Sequence, residues 1–158
     1  MYNKILVPLD GSKLAECALE HVKAITLGCH VPEVVFLRVV EPTYLISDAL
    51  SEGGAIYSDI INQLQSEAEK YIVETSQNFK HPSGINIIPV AAYGNPASEI
   101  LEYAKKNNVD IIIMTSHGRS GISKWLLGSV ADKVSHHATI PVLIVSAHAC
   151  ASPNTGIA

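Results

Sequence analysis

Basic charge, cysteine and long apolar runs are all scarce in this chain, and each scarcity removes a class of function. Only 11 Lys and Arg stand against 15 Asp and Glu, a formal net charge of -4. Nucleic-acid affinity rests on many cationic contacts to phosphate, so that partner is excluded. The three cysteines, Cys17, Cys29 and Cys150, are too few and too scattered for a disulfide framework or a CxxC metal pair. No apolar run approaches the roughly 20 residues that a membrane helix needs. The N-terminus enters a strand pattern without a basic-then-apolar leader, so the expectation is a cytoplasmic protein with no membrane partner.

What remains suits one compact domain. With 158 residues, 47% hydrophobic and 16% charged, the chain can bury a sizeable core but leaves no room for a second domain. Lys4 to Leu9 reads as a first buried strand, and Asp10-Gly11-Ser12 as a turn that caps the next helix. Leu14, Cys17, Ala18, His21, Val22 and Ile25 recur at helical steps, with Gly28 at the stop. His21 on that stripe reads as a histidine at the edge of the core. Val34 to Val40 is the second strand, closed by Glu41-Pro42. Residues 43–56 read as a loop whose Ser51-Glu52-Gly53-Gly54 is either a connector or a flap over a pocket.

Tyr57 to about Phe79 follows helical spacing, and Ile85 to Ala92 supplies a third strand. Asn95 then caps a helix that has Pro96 at its first position and Ala97, Ile100, Leu101 and Ala104 on its apolar stripe. Ile111 to Thr115 is the fourth strand, Val130, Ala131, Val134 and Ala138 mark the last helix, and Pro141 to Val145 is the fifth strand. Residues 1–146 are expected to form the domain, and residues 147–158, without periodicity, a C-terminal tail. Strands alternating with helices imply an α/β fold with an open parallel sheet covered on both faces.

The chemistry centres on Thr115-Ser116-His117-Gly118-Arg119-Ser120-Gly121 and on Trp125-Leu126-Leu127-Gly128-Ser129-Val130. Glycines at Gly118, Gly121 and Gly128 let backbone N–H groups approach an anion closely, Ser129 is placed to cap a helix, and Arg119 and Lys124 add positive charge. A turn alone also needs glycine, and the two cations also suit a solvated surface. His117 reads either as a phosphate donor or as a residue satisfying loop backbone groups. Asp10 reads as a strand-end turn former, beside a role toward ribose or a divalent ion that only the family resemblance below implies. No Ser/His/Asp arrangement and no Gly-x4-Gly-Lys-Ser/Thr loop is present, so enzymatic turnover is not expected.

These motifs resemble the universal stress protein family. Its nucleotide-binding members carry Gly-x2-Gly-x9-Gly-Ser/Thr after the fourth strand; here Gly118 and Gly128-Ser129 match, and Thr115 stands where the first glycine belongs. The resemblance implies a Rossmann-like, adenine nucleotide alpha hydrolase-like sheet of order 3-2-1-4-5. It implies ATP or another adenine nucleotide, with Mg²⁺ or Mn²⁺, as the cofactor of a stress-response regulator. Carried over by position, Pro8, Leu9 and Asp10 line the nucleotide, Val39 meets the adenine through its backbone, Met114 packs beside the base, and Gly118, Gly128, Ser129 and Val130 hold the phosphates. It also implies a homodimer through the last strand, where Val142 and Ile144 meet their symmetry mates, and an unnamed protein partner. Thr115 leaves a second reading, a nucleotide-free dimeric interaction module. Its branched side chain either crowds the phosphates, the favoured expectation, or offers its hydroxyl as a donor.

Overall fold

The structure, a computed structural model, describes residues 2–41, 54–81, 84–117 and 127–146, with side chains from residue 59 onward in the second of these stretches. Its strands are β1 (Lys4–Pro8), β2 (Glu33–Val40), β3 (Asn86–Tyr93), β4 (Ile111–Thr115) and β5 (Val142–Val145). Its helices are α1 (Lys13–Glu16), α2 (Ala18–Cys29), α3 (Gly54–Asn78), α4 (Pro96–Lys106) and α5 (Ser129–His137). The strands form one five-stranded sheet of order β3-β2-β1-β4-β5, every neighbouring pair parallel.

The continuous apolar runs of β1 and β4 follow from burial on both faces. Successive strand residues point to opposite sides. Ile5, Val7, Ile111 and Ile113 therefore join Ala18 and Val22 of α2 and Ile72 of α3 in one core layer. Leu6, Ile112 and Met114 join Ala97, Ile100 and Ala104 of α4 and Ala131 and Val134 of α5 in the other. The start of the central pair is pinned by Asp110, whose Oδ2 accepts the backbone N–H groups of Asn3 at 2.6 Å and Lys4 at 2.9 Å.

Several local expectations change. The first helical stripe is two helices, because Cys17 N–H bonds back to Leu14 O at 3.3 Å and so tightens the turn between them. His21 is exposed rather than at the core edge. The buried row of α2 is Ala18, Val22 and Thr26, and Thr26 is tolerated there because its hydroxyl donates to Val22 O. Gly28 does not stop the helix; α2 runs to Cys29, and His30 takes the left-handed cap at φ 52°. Ser129 is not a cap but the first residue of α5, and Gly128 holds the cap position. Gly54 is helical, whereas the rest of the expected flap, Arg119, Lys124 and the tail at 147–158 lie outside the described residues.

Candidate functional site

The strand order reverses between β1 and β4, since the chain builds outward through β2 and β3 and then returns to the far side of β1. In open parallel sheets ligands bind at that point, beyond the carboxyl ends of the strands. Two turns leave the sheet there. The first leaves β1: Asp10 Oδ1 accepts Ser12 N–H at 2.9 Å and Ser12 Oγ–H at 2.6 Å, across Gly11 at φ 88°. Ser12 Oγ in turn accepts Ala15 N–H at 3.1 Å and caps α1. Asp10 is thus a turn former, one of the two roles read from the sequence.

The second turn leaves β4. Thr115, Ser116 and His117 are all buried, with 6%, 8% and 8% of their surface exposed. Thr115 Oγ1 donates to His117 O at 2.8 Å. A threonine has one hydroxyl proton, so this bond closes the loop on itself and leaves the hydroxyl no proton for a ligand. His117 Nδ1 lies 3.1 Å from Ser116 Oγ, while its Nε2 is buried and has no hydrogen-bond partner among the described residues. When Ser116 donates to Nδ1, Nε2 carries the ring proton and is a donor.

That nitrogen lies beside the start of α5. Gly128 N–H donates to Ser116 O at 2.8 Å, and a Cβ built on Gly128 would stand 3.1 Å from the same oxygen and 3.8 Å from His117 Cδ2, the ring carbon bonded to Nε2. A Cβ there would press the Ser116 carbonyl by a few tenths of an ångström, while the φ of -61° is one that any residue adopts. The first helical bond of α5 runs from Asp132 N to Gly128 O, so the amides of Ser129, Val130 and Ala131 precede the ladder, and the cap residue has no side chain to accept from them. Uncapped amides at a helix start, with the positive end of its dipole, favour an anion.

The remaining residues singled out from the sequence fall on both sides of this crevice. Leu9 is buried against the α1–α2 layer, Met114 and Val39 against the α4–α5 layer, and Pro8 ends β1 half-buried. Val130 is half-buried in the first turn of α5. Gly118, Arg119 and Gly121 lie outside the described residues. Sequence reasoning passed over Arg38, whose Nη1 donates to Val39 O at 3.2 Å. The signal was a single charge inside the otherwise apolar run Val34 to Val40. Among the described residues no group of three His, Cys, Asp or Glu is placed to hold a metal ion, and no helix is long and apolar enough to cross a membrane.

The family model of the universal stress protein family matches residues 1–146, which takes in both turns of the crevice. This chain belongs to that family. Among its relatives is universal stress protein YxiE of Bacillus subtilis, 33% identical over 150 residues and covering 92% of this chain and 99% of the other. The solved structure of MJ0577, a universal stress protein of Methanocaldococcus jannaschii, has a TM-score of 0.78 at 35% identity, covering 92% of this chain and 96% of that one. Universal stress protein UspA from Lactobacillus plantarum superposes with a TM-score of 0.77 at 25% identity, covering 91% and 97%. In this universal stress protein a second concavity of about 460 Å³ lies between α2 and the end of α3, lined by Glu16, Lys23, Tyr71 and Glu74 among others.

Proposed function

We propose that this universal stress protein is a regulator that binds an adenine nucleotide at the switch point between β1 and β4. The observation that carries this reading is the pairing of a helix start at Gly128 that has no side-chain cap with the buried Nε2 of His117 beside it, which has no hydrogen-bond partner among the described residues. Buried polar groups are nearly always satisfied, and a phosphate oxygen satisfies both this nitrogen and the amides of Ser129 and Val130. Pro8, Leu9 and Asp10 line the nucleoside side, Val39 receives the base through its backbone, and Met114 packs beside it. Thr115, Gly118, Arg119 and Gly121 complete the phosphate loop. Universal stress proteins solved with cAMP and, from Arabidopsis thaliana, with AMP share the fold at 20% and 15% identity. A Mg²⁺ or Mn²⁺ ion in this crevice takes most of its oxygen ligands from the phosphates and water, because Asp10 Oδ1 is already engaged by Ser12. The bound state orders the surface that a cytoplasmic protein partner meets, and turnover is no part of the reading.

Thr115 supports a second reading, a nucleotide-free dimeric module, since its hydroxyl satisfies the loop without a ligand. Denaturing the purified protein and chromatographing the released small molecules, followed by calorimetry with ATP and Mg²⁺, separates the two. Released adenine nucleotide or saturable ATP binding is expected. No nucleotide in the supernatant and no heat with ATP would leave the interaction module standing.

A further inference from the structure

We infer that Pro89 closes the outer edge of β3 to strand addition, which confines strand pairing between copies of this chain to β5. The sheet ends in β3 on one side and in β5 on the other, and among the described residues neither outer edge carries a further strand. An edge strand presents backbone N–H and C=O groups that a second chain can bond. Which residues present them follows from the bonds on the inner side. Asn86 N–H donates to Pro32 O at 2.8 Å, and Gly94 N–H, just past β3, donates to Val40 O at 3.0 Å, both toward β2. Backbone polar groups alternate between the two edges of a strand, so Ile88, Val90 and Ala92 also face β2, while Ile87, Pro89 and Ala91 face outward.

On β5 the outward residues differ. Pro141 O accepts Ile112 N–H at 3.0 Å and Val145 O accepts Ser116 N–H at 2.8 Å, so the groups turned away from β4 are those of Val142 and Ile144. Both have an N–H. Pro89 has none, and its ring fills the place of the missing hydrogen near the middle of the eight-residue β3. A strand laid along β3 loses that donor and meets the ring with its own carbonyl. The side chains of β3 give no such protection: Ile87 to Ala92 is half-buried and carries no charge, so the proline is what separates this edge from β5.

Sedimentation velocity of the full chain across a concentration series tests this on the unmutated protein, Pro89→Val and Pro89→Val/Ala91→Pro, with circular dichroism to show that each is folded. Valine restores the outward N–H and suits a strand. Pro89→Val is expected to form species of at least twice the unmutated mass as concentration rises. The second proline removes the next outward donor while sparing the bonds to β2, so the double variant should return to the unmutated mass; Pro89→Val/Ile87→Pro serves the same purpose on the other side. A folded Pro89→Val chain with the unmutated mass at every concentration overturns the inference. So does a raised mass that neither added proline reverses, since the new contact then does not use the outward donors of β3. An unmutated protein that itself grows past two copies overturns it as well. The comparison holds whether the unmutated protein is one copy or two, and it is independent of nucleotide binding.

Discussion

Gly128 is the residue where packing and ligand chemistry make separable demands. Its backbone sits in the extended region at ψ 149°, which is where a capping Asp belongs, so Gly128→Asp satisfies α5 while filling the amide cluster with a carboxylate. The variant should fold, with the Ser116 carbonyl at 3.1 Å giving by a few tenths of an ångström. ATP affinity should fall by more than tenfold, about 1.4 kcal/mol. Calorimetry showing equal affinity would move the phosphates elsewhere. Thr115 was expected to crowd the pocket or to donate into it; its proton goes to His117 O, against the second of these. Thr115→Val keeps the branch and deletes that bond, leaving a buried carbonyl with one partner fewer. Urea denaturation should register a loss of about 1 kcal/mol. A Val variant as stable as the unmutated protein would mean that the bond contributes nothing to the loop.

Among the elements, α3 is tied to α1 by a polar contact, Tyr71 OH to Glu16 Oε1 at 3.3 Å. Burial, and next the Glu16 carboxylate, push the Tyr71 phenol from 10.0 up to about 12. Between those values the folded chain keeps a proton that the unfolded chain releases. The contribution to stability is therefore complete below the unfolded value and is lost as pH rises through that window. Tyr71→Phe cannot titrate, so its stability should fall less steeply between about pH 10 and about pH 12. Denaturation midpoints that decline in parallel for the two proteins would show that Tyr71 plays no part in the alkaline limb. The helix starts divide by what caps them. Asn95 Oδ1 accepts Ser98 N–H at 3.2 Å and Ser12 Oγ accepts Ala15 N–H at 3.1 Å, both legible in the sequence as turn-forming residues ahead of an apolar stripe. At α5 the cap fell one residue earlier than read, on Gly128, because the Gly128 N–H is held by Ser116 O, a partner twelve positions back.

At the scale of the whole molecule, β5 is an edge of the sheet, with Val142, Leu143 and Ile144 half-buried and no charge to discourage another strand. We propose that a two-fold pairing through Val142 and Ile144 covers it. Light scattering should give twice 16.9 kDa for the unmutated protein and a single-chain mass for Val142→Lys. A monomer at working concentrations would contradict this proposal. The inner strands β1 and β4 could be read directly from the sequence because burial on both faces writes itself as uninterrupted apolar residues, as in Ile111-Ile112-Ile113-Met114. The glycine-rich turns and the Asn95 cap were equally local. What the tertiary structure alone decided is where polar groups find their partners. His21 turned outward while Thr26 went in, Thr115 bonded its own loop, His117 Nε2 was left beside α5, and Arg38 reached Val39 O. Apolar periodicity records only whether a side chain is buried. Which acceptor lies within 3 Å depends on segments brought together from far along the chain, as Asp110 is to Asn3, and no local pattern encodes that meeting.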